Sequence, residues 1–199
     1  MHGLINRSLE CFLNDTYGAD VWHDVVKGAG LGFKHFEPML DYDDALSYAV
    51  LAAAANRLSK SNDTLLEDLG TYLVSSPNVK SLRRLLRFGG VTFVDFLHSL
   101  DDLYDRAKLA VPELELPKIS LLNDGNNGSF KVVCKGPHRG FGRVILGLLR
   151  AMADDYGALV FMEYHGAGEG YEEISITLVQ SGYADGRDFS LAHPSGGVT

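Results

Sequence analysis

The histidines, cysteines, serines and carboxylates of this sequence could take part in catalysis or metal binding, and its glycine runs could bind phosphate. Their spacing matches no standard site. The seven histidines are scattered, and no CxxC, CxxH or HExxH spacing predicts a zinc site. No Ser/His/Asp, Cys/His or paired-carboxylate arrangement predicts a catalytic centre. The glycine runs at 28–32 and 166–170 resemble phosphate loops, but neither joins a strand to a helix as such loops require. We therefore predict that the chain is not an enzyme.

One tyrosine lies on the apolar stripe of a long helix that the sequence predicts over 92–109. Tyr104 follows Leu97 by seven residues and Leu100 by four, and these spacings put the three side chains on one helix face. We therefore expect Tyr104 to point inward, as a buried aromatic residue whose hydroxyl has a backbone partner. His98 lies about 120° around the same helix and has a different direction.

Apolar spacing and turn residues divide the chain into a helical part and a mixed part. The patterns predict helices over 4–17, 20–27, 41–58, 62–76, 79–88 and 92–109. Asp41 or Asp43 can cap the third of these helices, and Asn62 or Asp63 the fourth. After Pro117 the patterns predict strands over 119–122, 130–134, 158–165 and 172–180, with a turn at 123–128 and a helix over 144–156. This order predicts an α+β fold, in which a helical N-terminal part precedes an antiparallel sheet with one helix packed on it.

The composition excludes several classes of partner. The 199 residues are 46% hydrophobic and 22% charged, as in a soluble globular domain. A net charge of -8 argues against binding to nucleic acid or to an anionic membrane surface. Cys11 and Cys134 are expected to be free thiols in a reducing compartment. With no signal-peptide pattern and no apolar run long enough to span a bilayer, we predict a cytoplasmic protein.

Several short segments occur in an order and spacing that are specific when taken together. They are MHGLIN at 1–6, DTYG at 15–18, VW at 21–22, the segment 33–42, GTYL at 70–73, FL at 96–97, LDDLYDRAKLAVPEL at 100–114 and RGFGRVILGLL at 139–149. In this order they resemble the heme-nitric oxide/oxygen binding (H-NOX) family, which includes the sensor domain of soluble guanylate cyclase. The resemblance covers residues 1–182. It implies a distal helical part over about 1–60 and a proximal α/β part over 61–182, with a polar tail over 183–199.

The resemblance implies a heme held between the two parts, with its iron bound from the proximal side by a histidine on the long helix. In this sequence that position is occupied by Tyr104, which becomes the candidate axial ligand to the iron. Pro117 falls where a proline of the family presses on the heme face. The distal pocket positions are occupied by Ile5, Leu9 and Val144. Because these three side chains cannot donate a hydrogen bond, the resemblance implies NO or CO as the gas rather than oxygen.

The family motif that holds the heme propionates, Y-x-S-x-R, is missing from this sequence. Counting back from the 139–149 segment places Cys134, Gly136 and His138 at its three positions. A one-residue shift places Lys135, Pro137 and Arg139 there instead. In either register the tyrosine and the serine are absent. Arg139, with Lys135 or His138, is then the candidate cation for a carboxylate.

Three hypotheses about the cofactor follow from these departures. In the first, heme is bound and the Tyr104 phenolate is the iron ligand, as a tyrosine is in catalase, which favours ferric iron. In the second, another group such as His98 ligates the iron, or heme is held without a strong ligand. In the third, heme has been lost, and the fold retains an apolar cavity for another small ligand or serves as a protein-interaction module.

The resemblance also implies a signalling partner. Stand-alone members of the family act by docking on a histidine kinase or a cyclic-nucleotide enzyme, and we expect a partner of this kind here. The acidic chain would associate faster with a basic partner surface.

Overall fold

Helices form the first part of the chain, and a four-stranded sheet dominates the second. The computed structural model describes residues 1–123, 128–168 and 170–188. The α-helices are α1 (Gly3–Tyr17), α2 (Ala19–Gly28), α3 (Asp44–Leu58), α4 (Asn62–Ser75), α5 (Lys80–Arg87), α6 (Phe93–Ser99), α7 (Leu103–Ala110) and α8 (Phe141–Tyr156). The strands are β1 (Lys118–Asn123), β2 (Ser129–Lys135), β3 (Leu159–Gly168) and β4 (Tyr171–Gln180). These bounds confirm the α+β fold class.

The sheet is antiparallel throughout the described residues, in the order β1-β2-β4-β3. Alternate residues of β4 point to the face that α8 covers, and the buried ones are Glu172, Ile174 and Ile176. This period of two is the pattern expected for a strand with one buried face. All four predicted strands are therefore confirmed, whereas residues 124–127 of the predicted turn lie outside the described part of the chain.

Side-chain caps set where two of the helices begin. Asp43 caps α3 by accepting a hydrogen bond from the backbone N–H of Ala45 at 2.9 Å, which agrees with one of the two predicted caps. The cap of α4 is Ser61, whose hydroxyl accepts from the backbone N–H of Thr64 at 3.0 Å. The predicted caps Asn62 and Asp63 were wrong by one and two residues, because serine at position 61 satisfies the free N–H group equally well.

The long helix predicted over 92–109 is interrupted. A 3₁₀ turn at Leu100–Asp102 separates α6 from α7. The Ser99 hydroxyl donates to the Phe96 carbonyl at 2.7 Å, and Asp101 accepts from the backbone N–H of Leu121 in β1 at 2.8 Å. The Ser99 bond to a helical carbonyl competes with regular helix geometry at this point, and the Asp101 bond joins the 3₁₀ turn to β1. Three residues of 3₁₀ geometry rotate the following chain by about 60° more than α geometry does, so α7 does not continue the stripe of α6.

The protein has two hydrophobic cores, and the helices α4 and α8 contribute residues to both. The helical core is formed by α1, α2, α3 and the first half of α4, and includes Phe12, Leu13, Val25, Val50, Leu65 and Leu69. The sheet core lies between α6, α8 and the sheet, and includes Phe96, Leu97, Val132, Leu149, Met152 and Ile174. Val74 of α4 belongs to the sheet core, whereas Val144 of α8 packs against the helical core. The two helices therefore connect the cores. The predicted division at residue 60 falls in the turn between α3 and α4 and stays a prediction.

The start of the predicted tail is bonded to the end of α8. The backbone N–H groups of Tyr183 and Ala184 donate to the Gly157 carbonyl, at 2.9 and 3.1 Å, and that of Arg187 donates to the Asp155 carbonyl at 2.9 Å. These backbone hydrogen bonds therefore hold residues 183–188, the described part of the tail, against the end of α8. Among the described residues, none of the helices is both long enough and apolar enough to cross a membrane.

Candidate ligand cavity

An apolar cavity of about 270 Å³ lies where α1, α3, α4 and α8 meet. Ile5 and Leu9 line it from α1, and Val144 lines it from α8. The structure therefore brings together the three residues that were predicted for the distal pocket. The rest of the wall consists of Met1, Leu4, Asn6, Ser8, Ser47, Tyr48, Leu51, Leu66, Leu69, Leu73, Leu82, Leu114, Leu116, Arg139, Gly140 and Phe141. Leucine predominates because α1, α3 and α4 turn their apolar faces toward the same space.

The polar groups on the cavity wall differ in how well they are bonded. The Ser8 hydroxyl donates to the Leu4 carbonyl at 2.8 Å, and the Ser47 hydroxyl donates to Oδ1 of Asn6 at 2.6 Å. Asn6 is 1% exposed, and its Nδ2 has no hydrogen-bond partner in the described part of the chain. We did not single out Asn6 from the sequence. The available signal was its spacing, because a polar residue three and seven positions before Leu9 and Leu13 lies on a buried helical stripe.

Arg139 is the charged side chain at the rim of this cavity. It is exposed, and it makes no ion pair or hydrogen bond with any residue that the structure describes. It also lines a second cavity of about 300 Å³, which lies beside the end of β2. The guanidinium is therefore available to an external anion from either side.

The second cavity contains most of the residues that were predicted to fall at the positions of the propionate motif. It is lined by Pro117, Cys134, Gly136, Pro137, His138, Arg139, Gly170, Tyr171 and Glu172. Cys134 is 2% exposed, and burial together with the nearby Glu172 charge raises the pKa of its thiol to about 12. A thiol with this pKa stays protonated and unreactive at neutral pH. Pro117 and His138 thus lie in a cavity different from the one that Ile5, Leu9 and Val144 line.

The Glu172 carboxylate occupies the N-terminus of α8. Its two oxygens accept from the backbone N–H of Gly140 at 3.2 Å and of Gly142 at 2.9 Å, and Oε1 also accepts from the Tyr164 hydroxyl at 2.7 Å. Burial and this last bond raise the pKa of Tyr164. A helix N-terminus attracts anions, and here the chain's own carboxylate fills that role. Sequence reasoning missed Glu172, although its position two residues before Ile174 on the buried face of β4 was a signal.

His138 contacts a carboxylate of the chain itself rather than being left free. Its Nδ1 lies 3.1 Å from Oδ2 of Asp44, whose Oδ1 accepts from the Met1 amine at 2.6 Å. The hydrogen bond from the amine and the nearby His138 hold the pKa of Asp44 below its ordinary value. His138 therefore already has a carboxylate partner within the chain.

Tyr104 lies on α7 and lines neither of these two cavities. Its side chain is half-buried, and its ring lies 6.0 Å from Nζ of Lys108. The hydroxyl makes no hydrogen bond within the described residues. The expectation that Tyr104 joins the buried stripe of Leu97 and Leu100 assumed an uninterrupted helix, which the 3₁₀ turn removes. His98 is exposed, with its ring at the edge of Phe130.

Comparison with known proteins identifies the family. A family model described as "HNOB: Haem-NO-binding" matches residues 2–164. The chain belongs to this family. It is 22% identical over 164 residues, 82% of its length, to Soluble guanylate cyclase 89Da of Drosophila melanogaster. It is 23% identical over 155 residues to Soluble guanylate cyclase gcy-31 of Caenorhabditis elegans. The chain spans only about a quarter of the length of these relatives, 24% and 22%.

Solved structures with the same fold are H-NOX proteins. An H-NOX protein from S. oneidensis in the Fe(II) state has a TM-score of 0.76 and 18% identity, over 91% of this chain and 97% of that one. The Fe(II) unliganded H-NOX protein from K. algicida has a TM-score of 0.77 and 16% identity, over 93% and 100%. The H-NOX resemblance is confirmed. The chain is an H-NOX domain, a member of the heme-based gas-sensor family related to soluble guanylate cyclases.

An axial ligand is the first requirement for heme in this H-NOX domain. Histidine, cysteine, tyrosine and methionine are the side chains that ligate heme iron in proteins. Of these types, the described wall of the apolar cavity has only Met1 and Tyr48, and Tyr48 is 41% exposed. Tyr104, the residue predicted to be the axial ligand, is not on that wall. The arrangement therefore does not present Tyr104 to a ligand in the cavity.

Partners for the two propionates are the second requirement. His138 is paired with Asp44, and the buried Glu172 carboxylate adds negative charge to the cavity where the propionate motif falls. A second carboxylate beside Glu172 would be repelled. Among the candidate cations, Arg139 and Lys135 remain, and Lys135 is exposed and lines neither cavity. One rim arginine is a weak substitute for a complete propionate site.

Space is the third requirement. An engineered cavity of about 150 Å³ holds benzene, so by the same scale about 270 Å³ holds roughly ten non-hydrogen atoms. Heme has about forty, and most of it would lie outside the present walls. The residues as they are arranged do not fit a heme held by Tyr104.

Proposed function

We propose that this H-NOX domain is a sensor in a signalling system and that it binds a small, largely apolar molecule directly, without heme. The carrying observation is the leucine-rich cavity lined by Ile5, Leu9 and Val144, from which Tyr104 is absent. Burial of apolar ligand surface drives binding in such a cavity. The loss of both the proximal histidine and the propionate motif supports the same proposal.

The position of the cavity supports a sensing role. Val144 lines the cavity and packs on the helical core, while Leu146, Leu149 and Met152 of α8 belong to the sheet core. A ligand that contacts Val144 therefore touches the helix that connects the two cores. A change in the position of α8 would alter the surface of both parts, which is what a docking partner can detect. We propose a histidine kinase or a cyclic-nucleotide enzyme as that partner.

A binding experiment with a small hydrocarbon tests this proposal. Wild-type protein is titrated with α-methylstyrene, and the thermal stability and the backbone amide spectrum are followed. We expect a saturable rise in Tm, because a ligand that binds only the folded state stabilises it. Val144→Phe, which fills the cavity, should abolish the rise. Val179→Phe is the matched control, because Val179 is exposed on the outer face of the sheet and should leave binding unchanged. Wild type without saturable binding would contradict the proposal.

A second candidate function retains heme with Tyr104 as the axial ligand. Family membership favours it, and so does the half-buried Tyr104 hydroxyl, which has no hydrogen bond to lose in the described structure. This candidate requires α7 to rotate toward the cavity. Heme, when bound, would supply the iron site for NO or CO. Titration with hemin separates the two candidates.

A further inference from the structure

The apolar cavity has one cation on its wall whose charge no group of the described chain neutralises. Arg139 is exposed, lines the cavity and makes no ion pair or hydrogen bond with any described residue. The other cationic group among the described wall residues is the Met1 amine, which is bonded to Asp44 at 2.6 Å. A positive charge at the edge of an otherwise apolar cavity favours a ligand that carries one negative charge.

The buried interior of the cavity offers no polar side chain to a ligand. The Ser8 hydroxyl donates to the Leu4 carbonyl, and the Ser47 hydroxyl donates to Asn6. The amide nitrogen of Asn6 is fully buried and presents no surface to a ligand. Tyr48, the remaining polar side chain on the wall, is 41% exposed and therefore borders solvent. A ligand thus meets apolar side chains inside the cavity and polar groups where it adjoins solvent.

Glu172 determines the side from which an anion can reach Arg139. Arg139 lines the second cavity as well, but the Glu172 carboxylate lies on the wall of that cavity. A ligand carboxylate placed there would be repelled by Glu172. Glu172 is not on the wall of the apolar cavity. The apolar cavity is therefore the favourable side for a ligand that pairs with Arg139.

The position of Arg139 specifies an amphipathic ligand with a single carboxylate. A guanidinium matches the planar carboxylate group and can bind both of its oxygens. One cation balances one negative charge, which suits a carboxylate better than a doubly charged phosphate. Burying a carboxylate in an apolar interior is costly, whereas a carboxylate at the exposed rim stays in contact with water. The hydrocarbon chain of the same molecule gains free energy from burial against the leucine side chains.

We infer that the ligand of this cavity is a medium-chain monocarboxylate, whose carboxylate binds Arg139 at the rim and whose hydrocarbon chain fills the space beside Val144. By comparison with the cavity that holds benzene, it has about ten non-hydrogen atoms, as many as octanoate has. Unlike heme, such a ligand needs one cation and no axial ligand. This inference rests on the proposed function, since it names the class of molecule that the cavity binds.

Octanoate and 1-octanol are matched probes, because they have the same chain length and only the first is charged. The Kd of each is measured by calorimetry for wild type, Arg139→Gln, Arg139→Lys and Arg84→Gln. We expect wild type to bind octanoate more tightly than octanol, and Arg139→Gln to reduce this preference about tenfold. Arg139→Lys keeps the charge and should retain most of the preference. Arg84→Gln is the control, because Arg84 is exposed and lines neither cavity, and its preference should equal that of wild type.

The outcomes separate this inference from the proposed function. If wild type binds α-methylstyrene but does not prefer octanoate to octanol, the carboxylate ligand is overturned and the hydrocarbon site stands. If wild type binds none of these probes, both are overturned. An equal loss of preference in Arg139→Gln and Arg84→Gln would show a general effect of net charge and overturn the role of Arg139. In the wild-type spectrum, the Arg139 Nε–H signal should move with octanoate and not with octanol, and equal shifts would contradict the inference.

Discussion

Gly147 of α8 lies directly against the backbone carbonyl of Glu67 on α4, with no space for a side chain between them. Gly70 of α4 lies equally close to the carbonyl of Val144. The paired glycines let the two helices approach closely, and Glu67 then binds Arg143 at 2.8 Å and Arg150 at 2.7 Å across the same contact. The helices that join the two cores are therefore held by backbone contact as well as by ion pairs.

Gly147→Ala should destabilise the protein by about 1–3 kcal/mol, because a methyl group forces α4 and α8 apart. The higher helix propensity of alanine offsets only about 1 kcal/mol of this loss. Urea denaturation measures the difference. Gly182→Ala is the control, since a Cβ at Gly182 meets no atom within 4 Å, and it should change stability by less than about 0.5 kcal/mol. Equal stability of the two variants would contradict the close contact.

Glu172→Ala should cost about 1–3 kcal/mol, because it leaves the N–H groups of Gly140 and Gly142 without their acceptor at the start of α8. The neighbouring Glu173 is the matched control. It is paired with Lys131 at 3.1 Å in a partly exposed ion pair, so Glu173→Ala should cost less than about 1 kcal/mol. Chemical denaturation at pH 7 checks both variants. A larger loss for Glu173→Ala would contradict the capping role of Glu172.

Ser61→Ala should lower stability by about 0.5–2 kcal/mol, because it removes the cap of α4. Asn62→Ala, at the adjacent exposed position, should be close to neutral. Thermal denaturation of the two variants distinguishes them. A larger loss of stability for Asn62→Ala than for Ser61→Ala would show that α4 begins one residue later.

The stability of the wild type should fall above pH 9, in part because of Cys134. Its pKa is about 12 in the folded state against 9.0 as the ordinary value, so above pH 9 the unfolded chain loses a proton that the folded chain keeps. The contribution is fully present below pH 9 and is lost progressively up to about pH 12. At about pH 10 the loss should be roughly 1 kcal/mol smaller in Cys134→Ala than in wild type. Denaturation curves of both proteins at pH 7 and 10 give the change in the free energy of unfolding for each. Equal losses of stability in wild type and Cys134→Ala would contradict the raised pKa of the Cys134 thiol.

The elements and the fold class follow from local pattern, whereas parts of the site depend on contacts between distant residues. The positions of Ile5, Leu9 and Val144 at one cavity follow from the family resemblance. Asn6 could not be recognised as an unpaired donor, because its bonding depends on Ser47, which is 41 residues away. Tyr104 was placed by a helical period that a 3₁₀ turn interrupts, and Asp101 of that turn is bonded to a strand 20 residues further along the chain.

Titration of the wild-type protein with hemin, alongside Tyr104→Phe, tests whether this H-NOX domain binds heme through Tyr104. We expect that neither protein shows a saturable Soret band, because Tyr104 is outside the cavity and His138 is already paired with Asp44. Binding of one equivalent of hemin by wild type, with an absorption band that Tyr104→Phe abolishes, would contradict it. That result would establish Tyr104 as the axial ligand and restore the heme-dependent sensor.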